Sequence, residues 1–171
     1  MPLSDLREKL KKGRIAAAEF IPILWAKFIT PDGSVHAGTI LSAAGWLTGT
    51  SLYRAFHPKD DIPPGTVVQS NEVNKEWESL IYLFEEYNFG NVCVPVGRLI
   101  MSALAASDEH KPRVEMSYVQ QDLQAQYNTV MKKHGFDYLE GARAGVVICS
   151  LLFNITAPLP KILIPVSLPE L

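Results

Sequence analysis

Small and apolar residues dominate 35–56, where the run VHAGTILSAAGWLTGTSLYRAF carries one certain charge, Arg54. Within it Gly38, Ser42, Gly45 and Gly49 follow at spacings of four, three and four. On a helix those spacings place four minimal side chains in one stripe. A stripe without bulk lets a second helix come close, which outweighs the helix propensity lost at the glycines. The segment is therefore expected to be the central helix of an all-α fold, with the small-residue stripe as its contact surface.

The flanking segments carry their own signals. Ser4 caps a first helix that Gly13 is expected to end, with Asp5 early and Lys9, Lys11 and Lys12 late, as the helix dipole favours. Residues 14–30 favour helix, with Pro22 opening or kinking it. Residues 23–41 allow two readings: helix–turn–helix about PDG at 31–33, or a hairpin in which ILWAKFIT pairs with VHAGTIL. The glycine and alanine density after Gly38 favours the helical reading. HPKDDIPPGTVVQS, 57–70, is a loop. Ser70 or Asn71 then caps an amphipathic helix with Val73, Trp77, Leu80, Ile81, Phe84 and Tyr87 on its apolar face and Glu76 among the polar residues opposite. Pro95 opens a small-residue helix over 97–107, and Pro112 opens another that runs to His134 along the seam Met116, Val119, Leu123, Tyr127, Val130 and, at its end, His134. The opposite face of the latter is rich in glutamine: Gln120, Gln121, Gln124 and Gln126. Lys132, Lys133 and His134 before Gly135 form a C-terminal signature. Asp137 and Glu140 form a capping box for the last helix, in which Gly141 and Gly145 make a second small-residue pair. The sum is a single-domain bundle, 1–171, of about six to seven helices. An extended apolar tail at 157–171 carries four prolines and is expected to cover its own core or a neighbouring subunit.

One echo runs through the chain. VGRLIMSAL at 96–104 and AGVVICSLL at 144–152 both place Ser five residues after Gly, and AGTILSAAG at 37–45 is a looser copy. Reuse of small residues at helix interfaces explains it without duplication.

Composition narrows the class. A chain of 171 residues, 47% hydrophobic and 20% charged, has the material for one folded core. A net charge of −2 lacks the basic footprint of a nucleic-acid partner. Cys93 and Cys149 lie in apolar surroundings without a Cys-x-x-Cys spacing, as free thiols do in a reducing compartment. The charged start has no apolar signal core, so a cytoplasmic location is expected. The uncharged runs at 37–53 and 144–160 are diluted by hydroxyl residues in the first and by Asn154, Pro158 and Pro160 in the second, which favours core helices over membrane spans.

No motif for cofactor chemistry stands out. The phosphate-loop pattern, the dinucleotide fingerprint, a Gly-x-Ser-x-Gly elbow and Glu-x-x-His pairs are all missing from the sequence. The histidines, His36, His57, His110 and His134, are scattered, so neither a cofactor nor a metal site is expected. Candidate ligand-binding residues come from electrostatic oddities. Arg98 and Arg143 each fall in the first turn of an apolar helix, where a cation opposes the dipole. Either a carboxylate such as Glu140 compensates, or the two guanidinium groups and the free helix-start amides converge on an anion. Glu19 among alanines is either exposed on a helix edge or buried with a raised pKa. Tyr53, Arg54 and His57 close the central helix beside Asp60 and Asp61. Three functions follow: a non-enzymatic protein that acts by self-association, most simply as a homodimer; a helical protein, enzymatic or not, with a small-molecule or anion site between helices; and, least favoured by the diluted apolar runs, a membrane-associated protein.

Overall fold

The computed structural model describes residues 3–66, 68, 70–89, 108 and 111–156, with the side chains of 3–7, 9, 10, 82 and 84–89 excepted. Five helices occur among them: α1 Leu3–Phe28, α2 Ala37–Phe56, α3 Asn71–Phe89, α4 Met116–Lys133 and α5 Tyr138–Thr156. No strand is present among the described residues beyond a single antiparallel bridge between Ile29 and Val35. The fold is all-α, as expected. The predicted helix at 97–107 and the tail at 157–171 lie outside the described residues, as do Arg98, Cys93 and His110.

α1 corrects the expected break at Gly13. The helix continues through it because α5 needs the space: a Cβ on Gly13 would sit 3.1 Å from Val147 Cγ2 and 3.7 Å from Ala144 Cα. Gly13 is a point of close packing and not a stop. Pro22 also lies inside α1. Ala18, whose carbonyl loses its partner there, and Pro22 are both exposed, so water can serve the freed oxygen. The opposite side, Ala16, Ala17, Phe20 and Leu24, is fully buried and holds the helix to the core. Between α1 and α2 the helix–turn–helix reading holds. Thr30 N–H donates to the Ser34 carbonyl at 2.8 Å across the bend. Gly33 supplies its left-handed residue at φ 82°.

α2 is the central helix, and its most extensive neighbour is α5. The contact surface differs from the expected one. The buried residues are Thr39, Ile40, Ala43, Ala44, Leu47, Thr48, Ser51 and Leu52. At about 100° per residue these cover the arc facing away from Gly45 and Gly49. No described atom comes within 4 Å of a Cβ built on either of those glycines. The close approach instead uses the second glycine pair, on α5. A Cβ on Gly141 would meet Ser51 Oγ at 3.0 Å; one on Gly145 would overlap Thr48 Oγ1 and come within 2.5 Å of the Tyr127 hydroxyl. The physical reason is division of labour. α5 supplies the missing bulk, while α2 supplies short hydroxyl and methyl side chains that fill the space without pushing the helices apart.

The remaining elements assemble around that pair. α4 buries Val119, Leu123, Tyr127 and Val130 of the predicted seam and adds Met131, while Met116 and His134 at the two ends of the seam are half-buried. Tyr127 packs edge-on to Phe20 of α1, with ring centroids 5.0 Å apart. α4 starts four residues later than Pro112 because the preceding segment is drawn to α2: Arg113 N–H donates to Thr39 Oγ1 at 2.9 Å. α3 meets α5 through Leu80, which packs with Leu52, Ala142 and Val146. Trp77, expected on its apolar face, is 42% exposed, and Glu76, expected on its polar face, turns toward α5 instead. Ser70 Oγ accepts from Val73 N–H at 3.1 Å as the expected cap. The α5 capping box forms, with Glu140 N–H donating to Asp137 Oδ1 at 2.8 Å and Asp137 N–H reaching Glu140 Oε2 at 3.4 Å.

The two kinds of glycine predict opposite mutational signs. Gly141→Ala must displace Ser51 Oγ, which is tied to the Tyr138 carbonyl at 3.0 Å, and is expected to cost about 1–3 kcal/mol as an overpacked site. Gly49→Ala meets no described atom of its own chain and, in protein diluted until it is monomeric, is expected to gain about 0.5–1 kcal/mol through helix propensity. Urea unfolding of the two variants beside the wild type checks both signs.

Candidate functional site

Two features on α2 survive as candidates: its outward face and its exit. Gly38, Ser42, Gly45 and Gly49 lie along the outward face and are half-buried. By helical angle, Tyr53 and Phe56 continue this face toward the C-terminal end. Trp46 flanks it and is fixed by Gln120 of α4, whose Oε1 accepts from Trp46 Nε1 at 3.1 Å.

The exit is built from Tyr53, Arg54, His57 and Asp60. His57 caps α2, its N–H donating to the Tyr53 carbonyl at 2.9 Å. One turn apart, the Tyr53 and His57 rings stack with centroids 4.5 Å apart. The loop then folds back, so the Tyr53 hydroxyl donates to Asp60 Oδ2 at 2.8 Å while His57 Nδ1 sits 3.6 Å from the same oxygen. Arg54 donates to the Asp60 carbonyl at 2.5 Å. The Asp60 carboxylate raises the Tyr53 pKa above its ordinary value, because ionising the phenol would lose that bond. The pKa of Glu72, at the start of α3, is lowered from its ordinary value by its own backbone N–H and then by the Ser70 hydroxyl. His57 Nε2 is shut off from solvent and has no hydrogen-bond partner among the described residues. An unpaired buried nitrogen costs about 1–3 kcal/mol, so this position favours any small polar group that bonds to it.

Gln120 anchors the loop behind this corner. Its Oε1 also accepts from Gly65 N–H at 3.0 Å, and its Nε2 donates to Thr50 Oγ1 at 3.2 Å. Gly65 at φ 86° must stay bare, since a Cβ there would lie 2.8 Å from Ser117 Cβ. The sequence offered only a glutamine-rich helix face; nothing in it singled out Gln120 as the residue that joins α2, α4 and the loop.

The other candidate residues are engaged elsewhere. α5 starts at Tyr138, so Arg143 is its sixth residue and lies beyond the first turn expected for it; its Nη2 meets Glu76 Oε1 of α3 at 3.1 Å, while Glu140 serves the cap. Its companion in the anion reading, Arg98, lies outside the described residues. Glu19 is partly exposed and meets two side chains at the C-terminal end of α4: Lys133 Nζ at 2.8 Å on Oε1 and Nε2 of the capping residue His134 at 2.9 Å on Oε2. The Lys133 hydrogen bond, then that of His134, holds the Glu19 pKa below its ordinary 4.5, the reverse of what a buried general acid requires. Burial pushes the Cys149 thiol up to about 11, which leaves it protonated and inert near neutral pH. No group of three His, Cys, Asp or Glu among the described residues is placed to hold a metal ion. Of the described helices, α5 alone is long and apolar enough to cross a membrane, and 56% of that stretch is buried within the fold.

The sequence matches no protein-family model, and neither curated proteins nor solved structures gave a match.

Because its folded pKa is depressed, Glu19 contributes stability above its unfolded pKa and loses it as pH falls through the folded value. Glu19→Gln is therefore expected to unfold at lower temperature than the wild type at pH 7, with the gap closing below about pH 4 as the carboxylate protonates. Melting curves across pH 3–7 measure the gap; a constant difference would contradict the pairing.

Proposed function

We propose that the protein is a non-enzymatic helical protein that works through self-association, most simply as a homodimer in the cytoplasm. The observation that carries this reading is the outward face of α2, where Gly45 and Gly49 offer backbone without any described neighbour. Elsewhere in the fold, glycines on helix faces are used: Gly13, Gly141 and Gly145 each sit against a partner helix. A small-residue stripe is shaped for the same use, and a second copy brings an identical stripe, which suits the self-complementary contact of a two-fold dimer. The half-exposed Phe56 lies on the same arc and adds apolar area.

Light scattering at tens of micromolar is expected to give twice the 19.0 kDa chain mass. The double substitution Gly45→Leu with Gly49→Leu is expected to halve that mass while leaving the melting temperature of the dilute protein within a few degrees. A monomeric wild type would overturn the reading. So would a double variant that loses much of its thermal stability at unchanged mass, because the face would then be packed within one chain.

A second reading places a small polar ligand at the α2 exit, and His57 Nε2, buried without a partner among the described residues, favours it. A ligand bonded there raises the melting temperature by linkage. In a thermal-shift screen of small polar molecules, including phosphate and amines, a rise in the wild type is expected to vanish in His57→Ala and to weaken in Arg54→Ala. Equal rises in all three proteins, or none, would count against it.

A further inference from the structure

We draw no further inference here: the strongest candidate, the Tyr53–His57–Asp60 cluster at the exit of α2, belongs to the site already described and rests on a partly exposed histidine with no second observation that points to a particular ligand.

Discussion

Gly145 of α5 lies against Thr48 of α2 and the hydroxyl of Tyr127 of α4 with no room for a methyl group. Three helices are set by that one contact. Because α5 presents bare backbone, α2 comes close enough for Ser51 Oγ to bond the Tyr138 carbonyl, and for the Tyr127 hydroxyl to reach the Gly141 carbonyl at 2.7 Å. Thr48 Oγ1 turns back to the Ala44 carbonyl at 2.7 Å. The hydroxyls at the contact are thus all satisfied, which is the condition for burying them. Burial drives the Tyr127 phenol far above its ordinary range, so it stays a donor at any pH the protein meets.

The rest of the bundle follows from this arrangement. With α2 and α5 in contact, α1 lays Ala16, Ala17, Phe20 and Leu24 over them, and Gly13 lets its early turns settle on Ala144 and Val147. The ion pairs work at the rim. Lys27 with Asp122 and Glu19 with Lys133 and His134 fix α1 to α4, while Arg143 with Glu76 fixes α5 to α3. Each joins residues far apart in the chain, so each reports register between helices more than it adds stability. Most of the charged candidates are absorbed in these pairs, while at the α2 exit Tyr53, Arg54 and Asp60 gather around His57. Its Nε2 is, with Gln124 Oε1 on α4, one of two buried side-chain atoms without a hydrogen-bond partner among the described residues.

Local signals read from the chain were those with a local physical cause. The α5 capping box, the Ser70 cap, the turn after Thr30 and the Gly135 stop each depend on residues within a few positions, and each appears. The rule that small residues permit close helix contact was also sound, but the sequence held two stripes, and the one on α5 makes the described contact. Which stripe faces inward depends on the total apolar area around each helix. Ile40, Leu47 and Leu52 pull α2 toward the core by the arc away from its glycines. Gly13 misled for the same reason: a glycine at a helix end and a glycine at a helix crossing look alike until the partner is known. The bond from Arg113 to Thr39 and the triple role of Gln120 join segments 55 to 74 positions apart, and no pattern in either segment announces them.

The most direct test is a double-mutant cycle at Gly145 and Thr48, read by urea unfolding. Gly145→Ala alone is expected to cost about 1–3 kcal/mol through overpacking, and Thr48→Ala, by removing the hydroxyl and methyl in its way, should restore part of that loss, the overlap with the Tyr127 hydroxyl remaining. A Gly145→Ala variant as stable as the wild type, or two substitutions whose costs simply add, would show that the α2–α5 approach does not rest on this contact.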